Sequence, residues 1–177
     1  HFLVESTSNT GTGMVFTSNT FLEGSAGIYL NNGAADDGEL KITNNTTIGQ
    51  YYGFLAEYID SVEISGNTVA GDHSGIGIYV NYCRPAIVTG NKVTENTTNA
   101  MNTGIRINDC DGNISGERTL IANNMVKAYG KAMELQNTGY ADIYYNTLIN
   151  TYTSSGTSNG TLYINSSSEM NVKNNII

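Results

Sequence analysis

The chain has 177 residues, with 16 acidic and 8 basic side chains and a formal net charge of -8. Only 14% of residues are charged, and polarity comes instead from 24 Asn, 21 Thr and 20 Gly. These are poor helix formers, so an α-helical protein is excluded. The excess of acid over base argues against a nucleic-acid grip, which needs clustered Lys and Arg, and no apolar run is long enough for a membrane-spanning helix.

In chain order, one short phrase recurs: an apolar residue, two unspecified, Asn, one unspecified, then apolar or Thr. It appears at Phe16–Asn19–Phe21, Ile42–Asn45–Thr47, Ile64–Asn67–Val69 and Val88–Asn91–Val93. Ile121–Asn124–Val126, Ile143–Asn146–Leu148 and Val172–Asn175–Ile177 continue it. Successive Asn residues are 26, 22, 24, 33, 22 and 29 apart, which fits a base coil of 22 residues with loop insertions. Between copies lies a second strand-like element, apolar–outward–apolar: Ile28-Tyr29-Leu30, Phe54-Leu55-Ala56, Ile78-Tyr79-Val80, Ile105-Arg106-Ile107, Met133-Glu134-Leu135 and Leu162-Tyr163-Ile164. Gly27, Gly53, Gly77 and Gly104 precede four of the six.

Strand side chains alternate between faces. The spacing therefore points Leu40/Ile42, Val62/Ile64, Ala86/Val88 and Ala141/Ile143 inward, and Lys41, Glu63, Ile87 and Asp142 outward. Three short strands per coil would enclose a narrow apolar core. From Met14 to Ile177 this pattern resembles the right-handed parallel β-helix superfamily, the pectate-lyase-like fold. The expected fold class is all-β: a right-handed parallel β-helix solenoid of about six coils with three short parallel sheets. The expected domain is a single one, 1–177, and because the repeat is still running at its last residue the chain reads as a piece of a longer one.

Coils stacked about 4.8 Å apart place equivalent residues in ladders. Asn19 through Asn175 should form one, with side-chain amides bonding up and down the axis. Asn31, Glu57, Asn81, Asn108, Gln136 and Asn165 should form a second. Cys83 and Cys110 each follow an inward residue by three positions in adjacent coils and should stack. Either a disulfide or two free thiols fits that spacing.

The outward row Tyr29, Leu55, Tyr79, Arg106, Glu134 and Tyr163 is the candidate binding surface. Tyr rings offer apolar faces to sugars, and Arg can fork onto a uronate carboxylate. Two loops flank it, Val93–Ile105 and Leu148–Leu162. His73, in Gly71-Asp72-His73-Ser74-Gly75, falls in the rung of Tyr79, with Arg106 one rung on. His73, Tyr79 and Arg106 are thus the candidate catalytic set for β-elimination: Arg106 neutralises a uronate, and His73 or Tyr79 takes the proton. Tyr29, Tyr79, Arg106, Glu134 and Tyr163 would bind substrate. Glycoside hydrolysis needs two facing carboxyl groups, and Glu134 stands alone in its row. No metal-ligand motif is present; Ca²⁺ is the one cofactor that the acidic insertions, with Asp36, Asp37 and Glu39 and with Asp109, Asp111 and Glu117, suggest.

Two functions compete. One is a secreted or cell-surface protein that binds a polysaccharide, an acidic glycan by the presence of Arg106, with or without lyase activity. The other is a non-catalytic structural or adhesive β-helix of a surface or phage tailspike-like protein. The expected partners are a polysaccharide and, through an open last coil, another copy end to end; nucleic acid and a membrane span are not expected.

Overall fold

The computed structural model describes residues 2–5, 13–33, 38–71, 74–95, 102–112, 116–152 and 160–177. Every paired strand in it is parallel, and the pairing steps one coil at a time. On the first face stack Met14–Thr17, Glu39–Thr43, Ser61–Ser65, Ala86–Thr89, Thr119–Ala122, Ala141–Tyr144 and Asn171–Lys173. The inward residues assigned from alternation are the buried ones: Leu40, Ile42, Val62, Ile64, Ala86, Val88, Ala141 and Ile143 are all 1% exposed or less.

Each first-face strand ends in a turn of fixed form. The residue before every ladder Asn is left-handed, from Ser18 (φ 58°) through Gly66 (φ 67°) and Tyr145 (φ 56°) to Asn174 (φ 57°). That conformation swings the next side chain under the turn, and the Asn is buried from Asn45 to Asn146. Asn67 shows the pattern. Its Nδ2 donates to Ile42 O (2.8 Å), Ser65 O (3.1 Å) and Asn91 Oδ1 (3.0 Å), and its Oδ1 accepts from Asn45 N (2.8 Å) and Nδ2 (3.2 Å). The same bonds run through six steps from Asn19 to Asn175.

The second face holds Thr68–Gly71, Lys92–Glu95, Met125–Ala128 and Thr147–Asn150; the third holds Phe2–Glu5, Ile76–Asn81, Thr103–Asn108, Lys131–Gln136 and Leu162–Asn165. These two faces are not separate sheets. The strands Thr20–Asn31 and Thr46–Glu57 run unbroken round the corner between them, so both faces belong to one eleven-stranded sheet. Their corner is made by positive-φ residues, Glu23, Gly24 and Gly49, which bend the chain without breaking its pairing: Leu22 with Ile48, Gly24 with Gln50. In the coils carrying the loops Val93–Ile105 and Leu148–Leu162, strands end on either side of that corner.

The glycine row belongs to the interior. A Cβ at Gly53 would lie 2.4 Å from Gly77 O and 2.7 Å from Val69 Cγ1, and one at Gly27 would lie 2.6 Å from Gly53 O. Gly53 and Phe54 are both buried, so alternation slips by one residue there. The core is a single column, Ile28, Phe54, Ile78, Ile105 and Met133 on the third face against Ile42, Ile64, Val88, Ile121 and Ile143 on the first. Among the described residues no helix is long and apolar enough to cross a membrane.

Candidate functional site

Parallel register carries the outward row intact. Tyr29 pairs with Leu55, Leu55 with Tyr79, Tyr79 with Arg106, Arg106 with Glu134 and Glu134 with Tyr163. The row divides into an open half and a sealed half.

The open half is a groove of about 380 Å³ lined by Ser25, Ala26, Tyr29, Tyr52, Leu55, Glu57 and Tyr79. Tyr52 is the member that alternation does not give. The slip at Gly53–Phe54 turns Tyr52 to the same side as Leu55, and the glycine after it is the sequence signal that would have found it. Its ring stacks on Tyr79 with centroids 6.5 Å apart and planes 25° apart. Glu57 lies in the second polar ladder: its Oε2 accepts from Tyr29 Oη (3.1 Å) and Asn31 Nδ2 (3.3 Å), and its Oε1 from Asn81 Nδ2 (3.0 Å). That ladder continues to Asn108, whose Nδ2 reaches Asn81 Oδ1 at 2.8 Å. Gln136 instead turns its amide to Glu134 (2.9 Å).

The sealed half centres on Glu134, whose side chain is fully buried. Its Oε2 takes Arg106 Nε at 2.7 Å and Thr103 Oγ1 at 3.4 Å, and its Oε1 takes Lys131 Nζ and Gln136 Nε2. Glu134 was expected to meet substrate; its carboxylate lies instead beneath two longer side chains, Arg106 from the neighbouring strand and Lys131 from three residues earlier on its own, which close over it as ion-pair partners. Burial alone would raise its carboxyl, but the bonds from Lys131 and Arg106 outweigh that and hold it below the ordinary carboxylate range. Lys131 also sits 4.2 Å from the centre of the Tyr163 ring, and the Arg106 guanidinium 5.7 Å from that of Tyr79.

Of the proposed catalytic set, Tyr79 and Arg106 are in contact and His73 lies outside the described residues. Burial pushes the Tyr79 phenol up to about 12, only partly offset by Arg106. It is therefore protonated at neutral pH, a hydrogen-bond donor to a ligand rather than a ready base. Asp36 and Asp37 likewise lie outside the described residues. Among those described, no three acidic, Cys or His side chains gather as a metal site would require. Glu39 and Glu117 instead border a hollow of about 500 Å³ shared with Arg84 and Arg118.

Cys83 and Cys110 stack as the spacing implies, both fully buried and both free thiols. Cys110 Sγ accepts from Cys83 N (3.3 Å), and Cys83 Sγ bonds Asn81 O (3.3 Å). Burial pushes the Cys83 thiol well up, so it sits in the core as a neutral hydrogen-bonding group.

A family model described as "right handed beta helix region" matches residues 2–177. Neither a curated protein nor a solved structure matches the chain.

Proposed function

From the premise that this chain belongs to the right-handed β-helix family, we propose that it binds a polysaccharide in the tyrosine-lined groove of its third face. The observation that carries the reading is the groove itself: Tyr29, Tyr52 and Tyr79 from three successive coils wall a cleft of about 380 Å³, within the roughly 300–1,000 Å³ range of small-molecule sites. Three coils span about 10 Å at 4.8 Å per step, a length comparable to a disaccharide. Tyr rings give apolar faces for sugar C–H groups, while the Glu57 carboxylate and the protonated Tyr79 hydroxyl supply hydrogen-bonding partners for sugar hydroxyls. A polysaccharide ligand fits a protein that works outside the cell or on its surface.

The reading stops at binding. β-Elimination on a uronate wants a cation in the cleft to neutralise the carboxylate, and Arg106 is ion-paired to Glu134 and is not among the residues that line the groove. The test is calorimetric titration with a panel of neutral and acidic polysaccharides, with product absorbance at the wavelength of unsaturated uronates followed in parallel. Binding without new absorbance is expected. Tyr52→Ala and Tyr79→Ala should each weaken it about tenfold, on the order of 1.4 kcal/mol. Failure of every polysaccharide to bind would leave the structural or adhesive role as the better account.

A further inference from the structure

We infer that the groove selects uncharged sugar residues, and that Glu57 is the group that rejects uronates. This rests on the glycan-binding reading and adds the charge class of the ligand. Among the seven residues lining the groove, Glu57 alone carries a charge. Its three hydrogen-bond donors, Tyr29 Oη, Asn31 Nδ2 and Asn81 Nδ2, are all neutral, and among the described residues no ion pair reaches it. A carboxylate has about four acceptor positions. Three are occupied here, which leaves room for one hydroxyl donor from a neutral ring.

A uronate would need a cation in that place. The nearest in the row, Arg106, is not among the residues that line the groove. Its Nε bond to Glu134 is 2.7 Å long, and Glu134 is fully buried. Swinging Arg106 into the groove would leave the buried carboxylate with Lys131 as its one cation. Lys131 is held to the same carboxylate and to the Tyr163 ring. A sugar carboxylate entering the groove therefore meets Glu57 across partly desolvated tyrosine walls, on a chain whose net charge is -8.

The experiment compares hexasaccharides by calorimetric titration: neutral chains of glucose, mannose and xylose, and galacturonate and mannuronate hexamers as free acids and as methyl esters. The ester keeps the ring and removes the charge. The expected result is that at least one neutral or esterified probe binds and that the free acids bind about tenfold or more weaker. In Glu57→Gln, with circular dichroism confirming the fold, the gap between acid and ester should close. In the wild type the gap should also shrink between 0.05 and about 0.5 M salt, as like-charge repulsion is screened; this arm holds if Glu57→Gln does not fold. A free acid binding as tightly as its ester, a gap unmoved by Glu57→Gln in a folded protein, or a gap indifferent to salt overturns the inference while leaving glycan binding intact. If no probe of either charge binds, the glycan reading falls and this inference with it.

Discussion

Asn67 bonds into three coils at once: to the Ile42 carbonyl and the Asn45 N–H of the preceding coil, to the Ser65 carbonyl of its own, and through its Nδ2 to the side-chain Oδ1 of Asn91 in the next. Asn67→Ala strands the Ile42 carbonyl and the Asn45 N–H in the interior, so a loss of about 3 kcal/mol in urea unfolding is expected. A loss below about 1 kcal/mol would show that water or a shifted neighbour replaces the amide. Glu134 gives the second residue-level test. Its folded carboxyl is held below its ordinary value near 4.5. The unfolded chain therefore takes up the proton first as pH falls. The resulting stability is fully present above pH 4.5 and drains away below it, toward the lower folded value. A series of urea curves should show the wild type losing stability across that acid window, and Glu134→Gln showing a flatter profile there. Identical profiles would mean that the four bonds to Glu134 contribute nothing that depends on its charge. Both residues were visible in the sequence, but unequally. Asn67 announces itself by recurring at a fixed place in seven phrases. Glu134 occurs once, and nothing in a strand pattern says that Arg106 and Lys131, from 28 and 3 residues away, will close over it.

At the scale of the strand, the decisive sites are those where a side chain is forbidden. Gly53 faces a backbone carbonyl, Gly77 O, that is fixed by sheet pairing and cannot move aside as a side chain would. Gly53→Ala is expected to cost about 2 kcal/mol in thermal or urea unfolding, even though it is the mildest substitution available and raises intrinsic strand fit. Little or no loss would mean that the third face can spread to admit a methyl group. The same site explains where the sequence reading of the groove fell short. Strict alternation from Phe54 backwards assigns Tyr52 to the core, because it assumes no slip at Gly53. The inward glycine takes up one extra residue, and Tyr52 emerges beside Leu55. The outward row itself, Tyr29 to Tyr163, needed only alternation and the repeat, and register reproduces it pair by pair. The merging of two faces into one sheet was not legible for a related reason. It depends on Glu23, Gly24 and Gly49 bending continuous strands, and a strand that bends reads like two strands with a turn between them.

For the whole molecule, each coil contacts only its neighbours, so local stability should follow the number of neighbours that cover a coil. The middle of the column is dry: Val88, Ile121, Ile105 and Ile107 are all fully buried. Toward the C-terminal side, Leu162–Asn165 and Asn171–Lys173 contain no buried residue. Amide hydrogen exchange on this 177-residue chain should be slowest in Ala86–Thr89 and Thr119–Ala122 and fastest in Leu162–Asn165 and Asn171–Lys173. Uniform protection along the axis would indicate all-or-none unfolding instead. The column also separates two tasks by geometry. The corner that carries the asparagines has the same length in every winding, with one left-handed residue and one amide each time. Every long excursion leaves from one of the other two corners, the same edges that border the tyrosine cleft. Differences in coil length are thereby confined to the edges of the cleft, so a loop there can be lengthened or shortened while the opposite spine, which keeps the windings in step, is left undisturbed.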